Sequence, residues 1–390
     1  MTTGTVLRRL IAMGSAFVIL TSWAPARAFA AVAHDDFANA QVLAAPYAAS
    51  FDTSGATSET NEPHPLCPDG SSAIADTIWF RFDANADDPY DVRSGASFAS
   101  GETDMYLPKV AIWDGSGLGD LALIACAHAS VDGFASVMLT FEAAAGHTYW
   151  IQVGSDPSDV GHAPGGYGQF DFHLQRPVAT VAPLPAVTMH PTFPVSWSAV
   201  PGAGAITGYD VWYFPAQWDG NWVEWKRRWT GTTSTTGTFI GAPGTYYCFS
   251  VYAFDDRGSQ SYPAENACTT VPVDDRVFIR SPGWRAGTGS NYYLGTYLSS
   301  STNHATLTRT RIRAREISLV ATTCPTCGKV RVYWNGVVLK TVDLHSPSTR
   351  YRQVLPVARF PDHGRSGTLR LEVWGAGKRV VIDGVANPRL

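Results

Sequence analysis

Along most of this chain the apolar residues recur at every second position. Thr77-Ile78-Trp79-Phe80-Arg81-Phe82 and Thr148-Tyr149-Trp150-Ile151-Gln152-Val153 are β-branched and aromatic runs of strand length, and residues 168–174 alternate cleanly around Phe170 and Phe172. Clusters of Gly, Asp, Ser and Pro separate such runs. After the first thirty residues, no segment sustains a 3.6-residue apolar stripe beyond a turn or two. The pattern predicts an all-β protein of short antiparallel strands.

The first thirty residues read differently. Arg8 and Arg9 precede an apolar stretch from Leu10 to Leu20, and a Pro25-containing tail ends in Ala28-Phe29-Ala30. That order predicts a secretory signal peptide over residues 1–30. Its apolar core is about eleven residues, short of the roughly 20 that a membrane span needs. No second apolar stretch of spanning length follows, so the expectation is an exported, extracellular chain without a transmembrane segment.

Composition narrows the class. With 16% charged and 12% aromatic residues, 36 Gly and 25 Pro among 390 residues, the chain is neither disordered nor helical, and its length calls for more than one core. The net charge of -4 conceals a sharp asymmetry: residues 31–177 carry 4 basic and 20 acidic residues, residues 178–274 carry 4 and 7, and residues 275–390 carry 18 and 6. A Pro-spaced, nearly uncharged stretch at residues 176–185 reads as a stiff connector. A second break falls near Val271-Pro272-Val273. The prediction is three consecutive antiparallel β-sandwich or jelly-roll domains after the signal peptide: residues 31–177, acidic; 178–272; and 273–390, basic.

Six cysteines fall as Cys67 with Cys126, Cys248 with Cys268, and Cys324 with Cys327, one pair per predicted domain. Export favours three structural disulfides. Cys324-Pro325-Thr326-Cys327 has redox-motif spacing, but thioredoxin-like chemistry needs a helix behind the first Cys and strand-like runs flank it here. A zinc site lacks a second ligand pair. The expected role is a disulfide closing a tight turn.

In the first domain, Asp35-Asp36-Phe37-Ala38-Asn39-Ala40, Gly55-Ala56-Thr57, Ile78-Trp79-Phe80-Arg81-Phe82, Val110-Ala111-Ile112-Trp113 and His147-Thr148-Tyr149-Trp150-Ile151-Gln152-Val153 follow one another in an order that resembles bacterial pre-peptidase C-terminal domains. The resemblance implies a non-catalytic jelly-roll accompanying secreted hydrolases or surface proteins, and relatives of that fold bind calcium through loop carboxylates. Asp35, Asp36, Glu59, Glu62, Asp76 and Asp104 are the carboxylates that such a site would use, with Asp36, Glu59, Glu62 and Asp104 as its core. The competing reading is that the acids are a solvated exterior. Residues 105–109 depart from the family pattern beside Asp104.

In the second domain, Val195-Ser196-Trp197, Ile206-Thr207-Gly208-Tyr209-Asp210-Val211-Trp212-Tyr213 and Tyr247-Cys248-Phe249-Ser250-Val251-Tyr252-Ala253 resemble a fibronectin type III domain. Alternation puts Tyr247, Phe249, Val251 and Ala253 on the core face and turns Cys248 outward to reach Cys268. Trp212, Trp218, Trp222, Trp225 and Trp229 crowd a short segment around Lys226, Arg227 and Arg228. One inner face cannot hold them all. By parity Trp225 and Trp229 share a side and Trp222 opposes them. Exposed rings at Trp218, Trp222, Trp225 and Trp229 would suit a sugar face or a protein contact; the alternative places some in the core.

The third domain, through Asn291-Tyr292-Tyr293-Leu294-Gly295-Thr296-Tyr297 and the run around Cys324-Pro325-Thr326-Cys327, looks like the C-terminal β-domain of some actinobacterial secreted proteins, with a jelly-roll like carbohydrate-binding modules by analogy. Its basic charge implies attraction to polyanions such as anionic wall polymers. Arg309, Arg311, Arg313 and Arg315 alternate, so in a regular strand they would line one face for phosphate or carboxylate contact, or guard an edge. No nucleic-acid-binding signature accompanies the charge. Nor does any nucleophile elbow, metalloprotease helix or phosphate loop appear. The sequence therefore suggests a secreted, non-catalytic polysaccharide- or envelope-binding protein. The alternatives are an adhesion protein working through protein partners, or an accessory module of polysaccharide- or protein-degrading hydrolases.

Overall fold

The structure is a computed structural model that describes residues 32–96, 106–129, 136–157, 165–221, 223–360 and 365–388. The predicted signal peptide, Asp104 and Trp222 lie outside the described residues. The fold is all-β, and none of the helices described is long and apolar enough to cross a membrane. Its sheets fall into three successive pairs.

The first pair uses β1 (Gln41–Val42), β2 (Tyr47–Asp52), β3 (Ala75–Asp83), β4 (Asp88–Ala96), β5 (Pro108–Asp114), β6 (Ala122–His128), β7 (Ser136–Ala143), β8 (Thr148–Ser155) and β9 (Tyr167–Leu174). One sheet runs β1-β3-β8-β5-β6 and the other β2-β9-β4-β7, antiparallel except for β1 on β3. Phe80, Val92, Ile112, Ile151, Phe170 and Phe172 fill the space between them. Trp79, Trp113 and Trp150 pack with Phe37 and the Cys67–Cys126 disulfide in a separate cluster.

The second pair uses β10 (Val178–Val181), β11 (Thr192–Val200), β12 (Ile206–Gln217), β13 (Lys226–Thr232), β14 (Thr236–Ile240), β15 (Thr245–Asp255) and β16 (Ala267–Val271), in orders β10-β11-β14 and β13-β12-β15-β16. Trp197, Val211, Phe249 and Val251 are among its core residues. The stretch read as a stiff connector is not a spacer. Val178–Val181 pairs with β11 from Val200 back to Trp197, so the backbone N–H groups of that segment are spent in a sheet. The neighbouring sandwiches touch directly instead: Arg257 Nη1 lies 3.0 Å from Asp88 Oδ2, Arg93 and Arg176 sit over the Tyr262 ring, and Ala203 N donates to Gln175 O.

The third pair uses β17 (Val273–Asp274), β18 (Ile279–Arg280), β19 (Arg285–Thr288), β20 (Thr296–Ser300), β21 (Thr306–Ala314), β22 (Glu316–Thr323), β23 (Lys329–Trp334), β24 (Val337–Asp343), β25 (Arg350–Arg359), β26 (Arg365–Trp374) and β27 (Val380–Ala386). One sheet runs β19-β20-β27-β22-β25, with β17 added on β27, and the other β18-β21-β26-β23-β24. Leu307, Leu319, Val332, Leu371 and Ile382 belong to the core between them.

All three cysteine pairs are bonded as the spacing suggested, and no free cysteine remains. Cys248 faces Cys268 in register across β15 and β16. Cys324–Cys327 closes a turn between β22 and β23, with Cys327 N donating to Cys324 O, which leaves no helix to activate a redox thiol.

Candidate functional site

Alternation along β12 turns Val211 and Tyr213 into the core and Trp212 and Phe214 to the outer face of the four-stranded sheet. Register with β15 places Ser250 beside Trp212 and Cys248 beside Phe214. Trp225, just before β13, folds back onto Phe214 with ring centroids 5.1 Å apart and planes 14° from parallel. Trp225 is 39% exposed. Trp212, Trp225 and Tyr252 form the aromatic walls of a shallow groove of about 380 Å³, with Glu265 and Asn266 supplying polar groups at its margin and Ser250 buried beneath, its hydroxyl donating to Ala264 O at 2.8 Å. The Arg227 guanidinium covers Trp212 at 4.6 Å and reaches Asp210 Oδ2 at 3.4 Å.

Four of the five clustered Trp residues lie among the described residues, and they divide by position. Trp225 stays on the surface, and Trp212 joins it. Trp229, expected on the same side as Trp225, is instead half-buried against the core, 5.2 Å from the Trp197 ring. The reason is a register shift: Val211 pairs with Trp229 but its neighbour Trp212 pairs with Arg227, so Arg228 is the extra residue that inverts the parity. Trp218, also read as a ligand-facing ring, is a contact between sandwiches. It packs against the third core, its carbonyl accepts from Arg313 N at 2.8 Å, and Arg309 lies over its ring at 4.1 Å. Gly244, at φ +76°, makes room for it, since a Cβ there would lie 2.5 Å from Trp218 Cδ1.

The arginine row is not a row. A register shift between Arg309 and Ile312, with Arg311 at φ 63°, breaks the alternation of β21. Arg309 bends toward Trp218 and donates to Val277 O at 3.1 Å, Arg313 Nη1 binds Asn221 Oδ1 at 2.5 Å, and Arg315 is half-buried while Arg311 is exposed. Two of the four therefore brace the junction between the second and third sandwiches.

The acidic residues of the first sandwich are engaged locally. Asp36 accepts from Asn39 Nδ2 at 3.2 Å, Asp35 from Thr57 N at 2.6 Å, and Glu59 from Phe37 N at 2.5 Å. Asp76 accepts from Ser155 Oγ at 3.3 Å. Glu62 is buried and accepts from Thr77 Oγ1 and Trp79 Nε1, both at 2.7 Å. Burial pushes its carboxyl above the ordinary value, with the charges of Glu59 and Asp35 adding to the rise against those two hydrogen bonds. Among the described residues no group of three or more His, Cys, Asp or Glu side chains is arranged to hold a metal ion. Sequence reasoning also passed over Lys109, fully buried with its Nζ 2.9 Å from Asp156 Oδ2 and bonded to Ser71 and Ala73.

No protein-family model matches the chain, and no curated protein matches it. Among solved structures, a carbohydrate-binding module of the β-sandwich superfamily aligns with 54% of this chain and 97% of its own at 14% identity and a TM-score of 0.29. Tripeptidyl peptidase 2 aligns with 90% of this chain at 9% identity and a TM-score of 0.22, and the chain spans about a quarter of that protein, 24%. The alpha-2-macroglobulin of E. coli aligns with 82% of this chain and 23% of its own at 10% identity and a TM-score of 0.20. These likenesses are too loose to carry function.

The residues that sequence reasoning missed include Ser250, Tyr252, Glu265 and Asn266 in the groove's lining and Phe214 beneath Trp225. Tyr252 was within reach, because putting Val251 and Ala253 in the core sends it outward. Glu265 and Asn266 had no signal, as a loop before β16 brings them there.

Proposed function

We propose that this chain is an extracellular, non-catalytic polysaccharide-binding protein that holds a sugar in the outer-face groove of its second sandwich. The observation that carries the reading is Trp225, exposed yet held flat on Phe214 beside Trp212. A planar ring kept rigid and solvent-facing stacks on the apolar face of a pyranose at small entropic cost, and Glu265 and Asn266 at the margin offer hydroxyl-binding groups. Three disulfides support a place outside the cell. The strand order of the second sandwich supports its resemblance to fibronectin type III domains.

Retention of the protein on cellulose, chitin, starch and peptidoglycan tests the reading at low and at about 0.5 M salt, where the Debye length falls to roughly 4 Å. Retention that survives salt and drops about tenfold or more in Trp225→Ala, a loss of at least about 1.4 kcal/mol, is the expected result. Binding to none of these polymers, or binding untouched by Trp225→Ala, removes the groove from consideration and turns the search toward protein partners.

A further inference from the structure

The sheet β18-β21-β26-β23-β24 sends Val330 and Val332 of β23, and Leu369, Leu371 and Val373 of β26, into the third core. Alternation therefore delivers Lys329, Arg331 and Tyr333, and Arg370, Glu372 and Trp374, to its outer face. Register sets Lys329 opposite Trp374, Arg331 opposite Glu372 and Tyr333 opposite Arg370. Each arginine holds its guanidinium carbon over the aromatic ring next to it: Arg331 at 3.1 Å from the Trp374 centroid, and Arg370 at 3.8 Å from that of Tyr333.

Two carboxylates share this face, and both have other partners. Glu372 is buried and accepts from the Tyr333 hydroxyl, with His304 Nδ1 at 2.5 Å from its other oxygen. Asp343 pairs with Lys329 at 3.5 Å and accepts from His345 N. Among the described residues neither Arg331 nor Arg370 has a carboxylate within ion-pair distance, and the buried Nε of Arg331 has no hydrogen-bond partner. At the Lys329 end the face opens into a groove of about 550 Å³ lined in part by Lys329, His345, Trp374 and Lys378.

A guanidinium held over a ring by cation–π attraction keeps few orientations, and its terminal N–H groups are then set for a planar anion in a two-pronged contact. Two such guanidinium groups stand diagonally on neighbouring strands. Lys329 and Lys378 continue the positive line, with alternate residues along a strand roughly 6.6 Å apart. Single-stranded nucleic acid is held by bases stacking on open aromatic faces, and here the guanidinium groups cover faces of both rings. We propose that this outer face binds an acidic polysaccharide, its carboxylates seated on Arg331 and Arg370 and its chain running past Lys329 into the Lys378 groove. The site is separate from the groove of the second sandwich and does not depend on it.

The test is affinity electrophoresis of the full chain in gels carrying polygalacturonate, neutral dextran or single-stranded DNA, over a range of salt. Polygalacturonate should retard the protein, dextran should not, and retardation should weaken as salt rises. Lys329→Gln with Lys378→Gln, both at exposed positions, should weaken retardation about tenfold, as should Arg370→Gln. The control is Arg285→Gln with Arg350→Gln, which removes the same charge from the opposite sheet and should leave retardation within about twofold if the site rather than net charge is responsible. Thermal unfolding of each variant separates lost binding from lost fold. Arg331→Lys, which keeps the charge and loses the fork, should still weaken binding. Equal loss in the control pair, equal retardation by DNA, or no retardation by polygalacturonate overturns the proposal.

Discussion

Asp383, on β27, and Asp275, in the short turn after β17, are buried together in the third sandwich, at 0% and 1% exposure, with both oxygens of Asp383 outside hydrogen-bond geometry and Asp275 accepting from Thr296 Oγ1 at 2.6 Å. Burial raises the carboxyl of Asp383 to about 7, the nearby charge of Asp275 adding to the rise while the approaching amides of Arg352 and Tyr293 and the Arg352 guanidinium oppose it. Burial likewise lifts Asp275 to about 6. The folded state thus holds more protons than the unfolded chain between the ordinary carboxylate value and about pH 7. Stability from these groups is fully present below the unfolded value and is lost as pH rises through the folded one. The expected outcome is a lower melting temperature of the third sandwich at pH 8 than at pH 5, flattened in Asp383→Asn; an unchanged or rising temperature contradicts it. A second contrast separates two tryptophans. Trp229→Ala should cost about 2–3 kcal/mol of stability, below or near the range for a fully buried ring, and leave any saccharide retention intact. Trp225→Ala should do the reverse, as urea unfolding measured beside retention would show.

At the scale of elements, bulges decide which side chains face out. Arg228 in β13 and the break before Ile312 in β21 each insert a residue, and the positions that follow change side, in β13 only until a second shift before Thr232. Deleting Arg228 should force Trp225 or Trp229 onto the wrong face and abolish cooperative unfolding of the second sandwich, which circular dichroism at rising temperature would detect. The disulfides act on larger loops. Separations of 59, 20 and 3 residues for Cys67–Cys126, Cys248–Cys268 and Cys324–Cys327 correspond, by loop-closure entropy, to roughly 4, 3 and 2 kcal/mol. Paired Cys→Ala variants should lose stability in that order. The strand runs read from alternation lie within β3, β8 and β9, since period two with β-branched and aromatic residues is a local property. The bulges were not legible, because an extra residue in one strand shows only against its partner's register.

For the whole molecule, the three sandwiches meet at built contacts rather than through slack linkers. Trp218 joins the second to the third, gripped by Arg309 and fixed through its carbonyl by Arg313. Trp218→Ala should cost about 2 kcal/mol, part of what a buried Trp loses. It should also let the sandwiches move apart, seen as a larger radius of gyration in X-ray scattering and as separate thermal transitions. An unchanged radius would mean that the remaining bonds, including Tyr293 OH to Pro272 O at 2.8 Å, suffice to hold them.

Alternation, cysteine spacing and charge by segment determined from the chain alone that the protein is all-β, that its cysteines pair within segments, and that residues 31–177 and 275–390 carry opposite charge. Those are properties of neighbouring residues and of sums. Which tryptophan faces water, which arginine braces a junction, and which cations line one face depend on register between strands far apart in sequence. Lys329, Arg331 and Arg370 meet because β23 pairs with β26, whereas Arg309 and Arg311, two residues apart, part company at a bulge. Side-chain direction in a sheet follows partner pairing as much as position, and pairing exists only once the chain has folded.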